Sequence, residues 1–329
     1  MNRLLLAVLA LSTSLLALPA YASKEKPVIG LSIDDLRVER WARDRDYFIE
    51  AAKKLGAEVS VQSADGDSAK QVAQIENLIS QKVDAIVVVP KDGPTLMNVL
   101  KDAKKAGIKI ISYDRVVKSP SVDLWVTFDN ERVGQMQGEA LMEAMPKGGN
   151  IYVLKGDPGD NNAKMFNAGA MKAIAPFIKT GQIKVLGEQS VQDWLPANAL
   201  KIAENVLTQF NNKIDGFLAP NDGTAGGVVQ ALAGQKLDGK IPVTGQDADL
   251  AGCKRILAGT QTMTVYKSLR KLANESARMT VALIKDEKLP LPTILIEGTR
   301  TMQLEPIVIN KGNIDILLHE LFFMMQLAL

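Results

Sequence analysis

The 329-residue chain carries 39 Lys and Arg against 37 Asp and Glu, a net charge of +2, with one histidine and one cysteine. So little net charge, scattered along helix faces such as Lys53-Lys54 and Lys104-Lys105, excludes a nucleic-acid binder. The lone histidine, His319, leaves Ser-His-Asp and Cys-His catalysis without a base and histidine–cysteine zinc sites without ligands, and the lone Cys253 excludes an internal disulfide.

Residues 1–22 hold one early charge, Arg3, an apolar stretch over residues 4–18 and the small-x-small signature Ala20-Tyr21-Ala22, which together predict a cleaved export signal. The apolar stretch is shorter than the ~20 residues a membrane span needs. The mature chain is expected to begin near Ser23, with no adjacent cysteine for a lipid anchor, as an exported, soluble protein. Its stability must come from a buried core, in which Cys253 is a small apolar residue.

From Pro27 onward the chain reads as repeated strand–helix units. Val28–Ile33 is an apolar run, followed by the helical stripe Trp41, Phe48, Ala51, Ala52 and Leu55, closed by Gly56. Residues 59–61 precede a helix with Val72, Ile75 and Ile79 inward. Residues 85–89 lead to Pro94 in a first helical turn and a helix stopped at Gly107, and residues 108–112 complete four strands. A second series runs through residues 151–154, 183–186, 214–219, 241–244 and Met263–Tyr266, with the clearest helices at 196–210 and 268–286. The glycines of Thr224-Ala225-Gly226-Gly227 suggest a close-packing helix face. Short apolar strands alternating with helices imply parallel sheets, and two such series imply two α/β domains. Three candidate crossings join them: residues 126–130, where Asn130 is placed to cap a helix, the end of the strand at Tyr266-Lys267, and Pro290-Leu291-Pro292. The expected division is 1–22 signal, 23–128 with 267–291 as the first lobe, and 129–266 with 292–329 as the second.

Polar and aromatic clusters follow the strands: Arg40-Trp41, Tyr113-Asp114-Arg115, Asp160-Asn161-Asn162, Trp194, Asn221-Asp222, Gln246-Asp247 and Tyr266-Lys267. In a doubly wound sheet the residues just past the strands' carboxyl ends line the ligand crevice, so seven segments converge on one site. Carboxylates, guanidinium groups, carboxamides and tryptophans without an activated nucleophile suit an uncharged, ring-shaped, polar ligand, best a sugar. No phosphate-cradling glycine motif is present. Asp247-x-Asp249 with Gly252 resembles half a calcium loop, but Ala251 and Ala258 supply no ligand at its fifth and twelfth positions. Asp114 and Asp247 allow a glycosidase reading. Each has a basic neighbour, Arg115 and Lys267, that would keep it ionised, so binding is favoured over hydrolysis.

These segments, with residues 33–41, Asp193-Trp194-Leu195-Pro196 and above all the unbroken stretch 245–267, resemble the periplasmic sugar-binding proteins of the ribose/galactose type, and among them the xylose-binding branch of ABC importers. The resemblance covers about residues 26 to 315. It implies an α/β fold of two doubly wound parallel-sheet lobes joined by a three-segment hinge, closing on a monosaccharide, D-xylose, without cofactor, metal or catalysis. It implies sugar contacts at Arg40, Asp114, Arg115, Asp160, Asn162, Asn221, Asp247 and Lys267, with Trp41 and Trp194 sandwiching the ring, while Trp125 is expected to be structural. The implied partners are an ABC permease and, as a second candidate, a chemoreceptor; a monomer is expected. A sugar-responsive repressor shares this architecture but needs a helix-turn-helix where the export signal stands. Residues 317–329, ten of thirteen apolar, depart from the polar ends of the family.

Overall fold

A computed structural model describes residues 25–318. The expected export signal, His319 and the remainder of the apolar tail lie outside the described residues. The first series comprises β1 (Val28–Ile33), α1 (Glu39–Lys54), β2 (Glu58–Ser63), α2 (Ser68–Ser80), β3 (Ala85–Val88), α3 (Gly93–Lys105), β4 (Lys109–Tyr113) and β5 (Leu124–Phe128). The second comprises α4 (Asn130–Ala144), β6 (Gly149–Lys155), α5 (Asn161–Lys179), β7 (Ile183–Ser190), a 3-10 turn at Gln192–Trp194, α6 (Pro196–Gln209), β8 (Gly216–Leu218), α7 (Asp222–Gly234), α8 (Leu250–Ala258) and β9 (Met263–Tyr266). Then follow α9 (Leu269–Ile284), β10 (Ile294–Ile296), β11 (Thr299–Leu304), β12 (Ile307–Asn310) and a 3-10 turn at Ile314–Leu317.

The first lobe is built on a seven-stranded sheet ordered β10-β11-β5-β4-β3-β1-β2, parallel except for β10. Helices cover both of its faces, so β3 is buried along its whole length, as a parallel strand between two helix layers must be. Phe48, Ala52, Leu272 and Ala273 of α1 and α9 fill one side, and Ile75, Leu78, Leu96 and Leu100 of α2 and α3 the other. The second lobe holds the parallel sheet β7-β6-β8 and the antiparallel pair β12-β9. There α4 and α5 approach so closely that a Cβ added to Gly134 would lie 1.8 Å from the carbonyl oxygen of Phe166, and one at Gly169 2.0 Å from that of Glu131. The glycine face of α7 is used likewise: a Cβ at Gly227 would sit 2.3 Å from the Pro196 carbonyl at the start of α6.

Three expectations are corrected. Residues 292–304 do not belong to the second lobe: β11 pairs in parallel with β5, Thr301 opposite Trp125 and Leu304 opposite Phe128, which covers what would be an open sheet edge. The last crossing therefore lies between Leu304 and Ile307, and the two prolines only link α9 to β10. Residues 241–244 form a single bridge, Val243 to Phe217, rather than a strand. The cap of α4 is Asp129, whose side chain accepts from the Arg132 amide at 2.9 Å, with Asn130 the first helical residue.

Candidate functional site

The clusters sit at the carboxyl ends of the strands of both lobes, and the structure folds them onto one crevice. Arg40 and Trp41 lie in the first turn of α1 after β1, and Asp114 and Arg115 follow β4. Asp160 caps α5 by accepting from the Asn162 amide at 2.8 Å, and Asn221 caps α7 by accepting from the Thr224 amide at 2.9 Å. Trp194 stands in the 3-10 turn after β7, Asp247 follows the Val243 bridge, and Lys267 follows β9.

Nine of the ten expected residues, Arg40, Trp41, Asp114, Arg115, Asp160, Trp194, Asn221, Asp247 and Lys267, line one narrow crevice together with Val38, Phe166 and Gln246. The tenth, Asn162, lies behind the wall, where its Nδ2 donates to the Asp114 carbonyl at 2.9 Å. Trp125 is structural, as expected: its buried Nε1 donates to that same carbonyl at 2.8 Å and fixes the Asp114 turn.

Charge is balanced along the wall, three cations against three carboxylates. Arg40, 3% exposed, gives Nε to Asp44 at 3.0 Å, one terminal nitrogen to Asp114 at 3.0 Å and the other to Asp247 at 3.2 Å, so it joins the two lobes. Asp247 also takes Lys267 Nζ at 3.0 Å. Burial would raise the Asp247 pKa, but Lys267 and Arg40 outweigh it and hold the carboxyl below the usual carboxylate range. Burial would also lower the Arg40 pKa, and Asp114, Asp44 and Asp247 reverse this, keeping the guanidinium charged. Arg115 does not pair with its neighbour Asp114. The left-handed Asp114 (φ 57°) turns the two side chains apart, and Arg115 bridges Asp34 at 2.6 Å to Asp160 at 2.8 Å. The guanidinium carbons of Arg40 and Arg115 lie 4.3 and 5.2 Å from the Trp41 ring centre.

Buried polar atoms without a protein partner include the indole nitrogens of Trp41 and Trp194 and the Gln246 side-chain oxygen, all on cavity-lining residues. Buried groups of this kind want partners, and a hydroxyl-bearing ligand offers them. Sequence reasoning passed over Asp44 and Phe166. Both are one helical turn beyond expected residues, Arg40 and Asn162, on the same helix face, and that i, i+4 spacing was the available signal. Gln246, adjacent to Asp247, stood in the sequence cluster but not among the expected contacts.

A two-lobed α/β fold with a small, charge-balanced, tryptophan-lined crevice defines a solute-binding protein. The sequence matches the periplasmic binding protein domain over residues 29–288, and the chain belongs to that family. Its relatives include the D-xylose-binding periplasmic protein of Escherichia coli K12, 50% identical over 93% of this chain and 94% of that protein. The D-xylose-binding periplasmic protein of Haemophilus influenzae is 46% identical over 94% of each. Among solved structures, an ABC transporter solute-binding protein from Clostridium phytofermentans with bound β-D-glucose superposes with a TM-score of 0.82 at 32% identity, over 88% of this chain and 96% of that one. Members of this family bind substrates without transforming them, and the chain is not an enzyme.

Proposed function

We propose that the protein is the D-xylose-binding component of an ABC importer, gripping the sugar between its two lobes and presenting it to a membrane permease. The observation that carries this reading is the charge-balanced, tryptophan-lined crevice in a chain half identical, almost end to end, to a D-xylose binder. Arg40, Arg115, Asn221 and Lys267 donate to the sugar hydroxyls, and Asp114, Asp160 and Asp247 accept from them in charge-assisted bonds. Trp41 and Trp194 pack on the C–H faces of the pyranose ring, and Asn162 acts through the Asp114 turn it supports. Every lining carboxylate is paired with a cation, which suits recognition and opposes the proton transfer hydrolysis needs. Export to the periplasm through residues 1–22 belongs to this reading, as does a chemoreceptor as an additional partner of the closed form.

Titration calorimetry with xylose, ribose, arabinose, glucose and galactose tests it. Xylose is expected to bind tightest, because an aldopentose ring lacks the exocyclic CH2OH that a small closed cavity excludes. Tighter binding of ribose or galactose would refute the sugar assignment while leaving the family in place. Pull-down of the closed form on permease and receptor fragments separates transport from sensing.

A further inference from the structure

Lys91 bridges the lobes beside the cavity without lining it. Lys91 follows β3 in the first lobe, and its amide donates to Gln71 Oε1 at 2.8 Å. Gln71 in turn donates to Ser32 Oγ at 3.1 Å and to the Val89 carbonyl at 2.9 Å, so Lys91 springs from a rigid, buried base. Its ammonium, on a side chain only 10% exposed, reaches across the crevice to Asp157 Oδ2 at 3.1 Å and Asp193 Oδ1 at 2.6 Å, both in the second lobe.

Those two carboxylates hold the turn that carries Trp194. Asp157 Oδ2 also accepts from the Asp193 amide at 2.7 Å and from Gln192 Nε2 at 3.2 Å. The turn is strained: Asp193 (φ 57°) and Trp194 (φ 59°) are consecutive non-glycine residues in the left-handed region, a conformation that persists only where surroundings enforce it. The indole lies flush on Gly156, where an added Cβ would come within 2.1 Å of the ring, and meets Phe166 edge-on at 6.3 Å. Within the second lobe support also comes from the Val191 carbonyl, which accepts from the Trp194 amide at 3.3 Å, and from Asn198 Nδ2, which donates to the Gln192 carbonyl at 2.9 Å. Lys91 adds to these an anchor on Asp193 that arrives from the other lobe.

We propose that Lys91 is a positioning residue: when the lobes close, its ammonium docks on Asp157 and Asp193, fixes the strained turn and so holds Trp194 against the bound sugar. This rests on the sugar-binding reading above. Closure and placement of the stacking ring thereby become one event, and opening the crevice withdraws the ammonium and loosens the ring.

The test is stopped-flow tryptophan fluorescence with D-xylose on the wild type, Lys91→Met and Lys91→Arg, alongside thermal melts with and without sugar. Lys91→Met keeps the aliphatic stem and is expected to raise the dissociation rate at least tenfold while the association rate changes less than threefold. Lys91→Arg, which retains a cation of similar reach, should recover most of that loss. The sugar-free melting temperature should stay unchanged in both variants, because the bridge spans the crevice, and only the sugar-induced rise should shrink. Unchanged dissociation in Lys91→Met, or a sugar-free melting temperature lowered as much as the sugar-bound one, overturns the proposal while leaving the functional reading intact. Wild-type protein that binds none of the five sugars overturns the functional reading, and this inference with it.

Discussion

At the scale of single residues, the pairing of each side chain decides what it can contribute. Asp247 is the shared acceptor of Arg40 and Lys267, so Asp247→Ala strips a partner from two buried cations and, on the proposed reading, from the sugar as well. A binding loss of at least about 1–3 kcal/mol is expected by calorimetry for Asp247→Ala, and a similar loss for Trp194→Ala. Asp222 lies behind the site, accepting from Gln261 Nε2 at 2.7 Å, Thr264 Oγ1 at 2.9 Å and the Asp249 amide at 2.9 Å. Burial pushes its carboxyl up from 3.8 to about 7, against the Gln261 and Thr264 bonds and helped by nearby Asp247. The folded state thus binds the Asp222 proton more tightly than the unfolded chain. The stability this gives is full below about pH 4 and is lost as the pH rises through about 7, by up to about 1.4 kcal/mol for each pH unit crossed. Urea melts between pH 4 and 8 should show wild-type stability falling relative to Asp222→Asn across that window. A constant difference between the two would refute the assignment.

At the scale of elements, close helix contact sets what the second lobe tolerates. The approach of α4 and α5 at Gly134 and Gly169 leaves no room for a methyl group against the facing backbone carbonyls. Gly169→Ala should lower stability by roughly 1–3 kcal/mol, because backbone cannot rotate aside as a side chain can. Thermal denaturation measures this, and Gly181→Ala, at a position where an added Cβ meets nothing within 4 Å, supplies a contrast dominated by its left-handed φ of 77°. α5 also carries Phe166 into the cavity wall, so displacement of that helix by Gly169→Ala should weaken sugar binding in the same calorimetric assay.

At the scale of the whole molecule, the crevice is shut by charge pairs that reach from lobe to lobe. Arg40 meets Asp247, Arg43 meets Asp249 at 2.9 Å, and Arg115 meets Asp160. A ligand that adds contacts to both walls favours this closed arrangement by its differential affinity for it. Small-angle scattering should therefore show compaction on adding xylose, with the sugar-bound curve matching the closed structure. A radius of gyration unchanged at saturating sugar would remove hinge closure as the mechanism.

How much of this was legible in the chain follows from what is local and what is not. The strand Val28–Ile33 and the strand Met263–Tyr266 were read to the residue, because each is a short, mainly apolar run, buried along most of its length and bounded by polar loops. The polar clusters were legible for a related reason, since doubly wound topology places whatever follows a strand at the crevice. The partners within the site were not. Arg115 stands beside Asp114 in sequence yet bonds Asp34 and Asp160, because one left-handed residue reverses the direction of its neighbour. Nor did periodicity show that β11 joins β5, Thr301 opposite Trp125, since a strand's pattern records that a face is buried but not which strand lies beside it. The sequence by itself determined the alternating α/β architecture, the chemistry of the candidate binding residues and the absence of a histidine or thiol nucleophile with a base. The tertiary structure alone decided the last crossing, the exchange of charge partners and the reach of Lys91 to the Trp194 turn, because each depends on contacts between segments whose order along the chain carries no record of their distance.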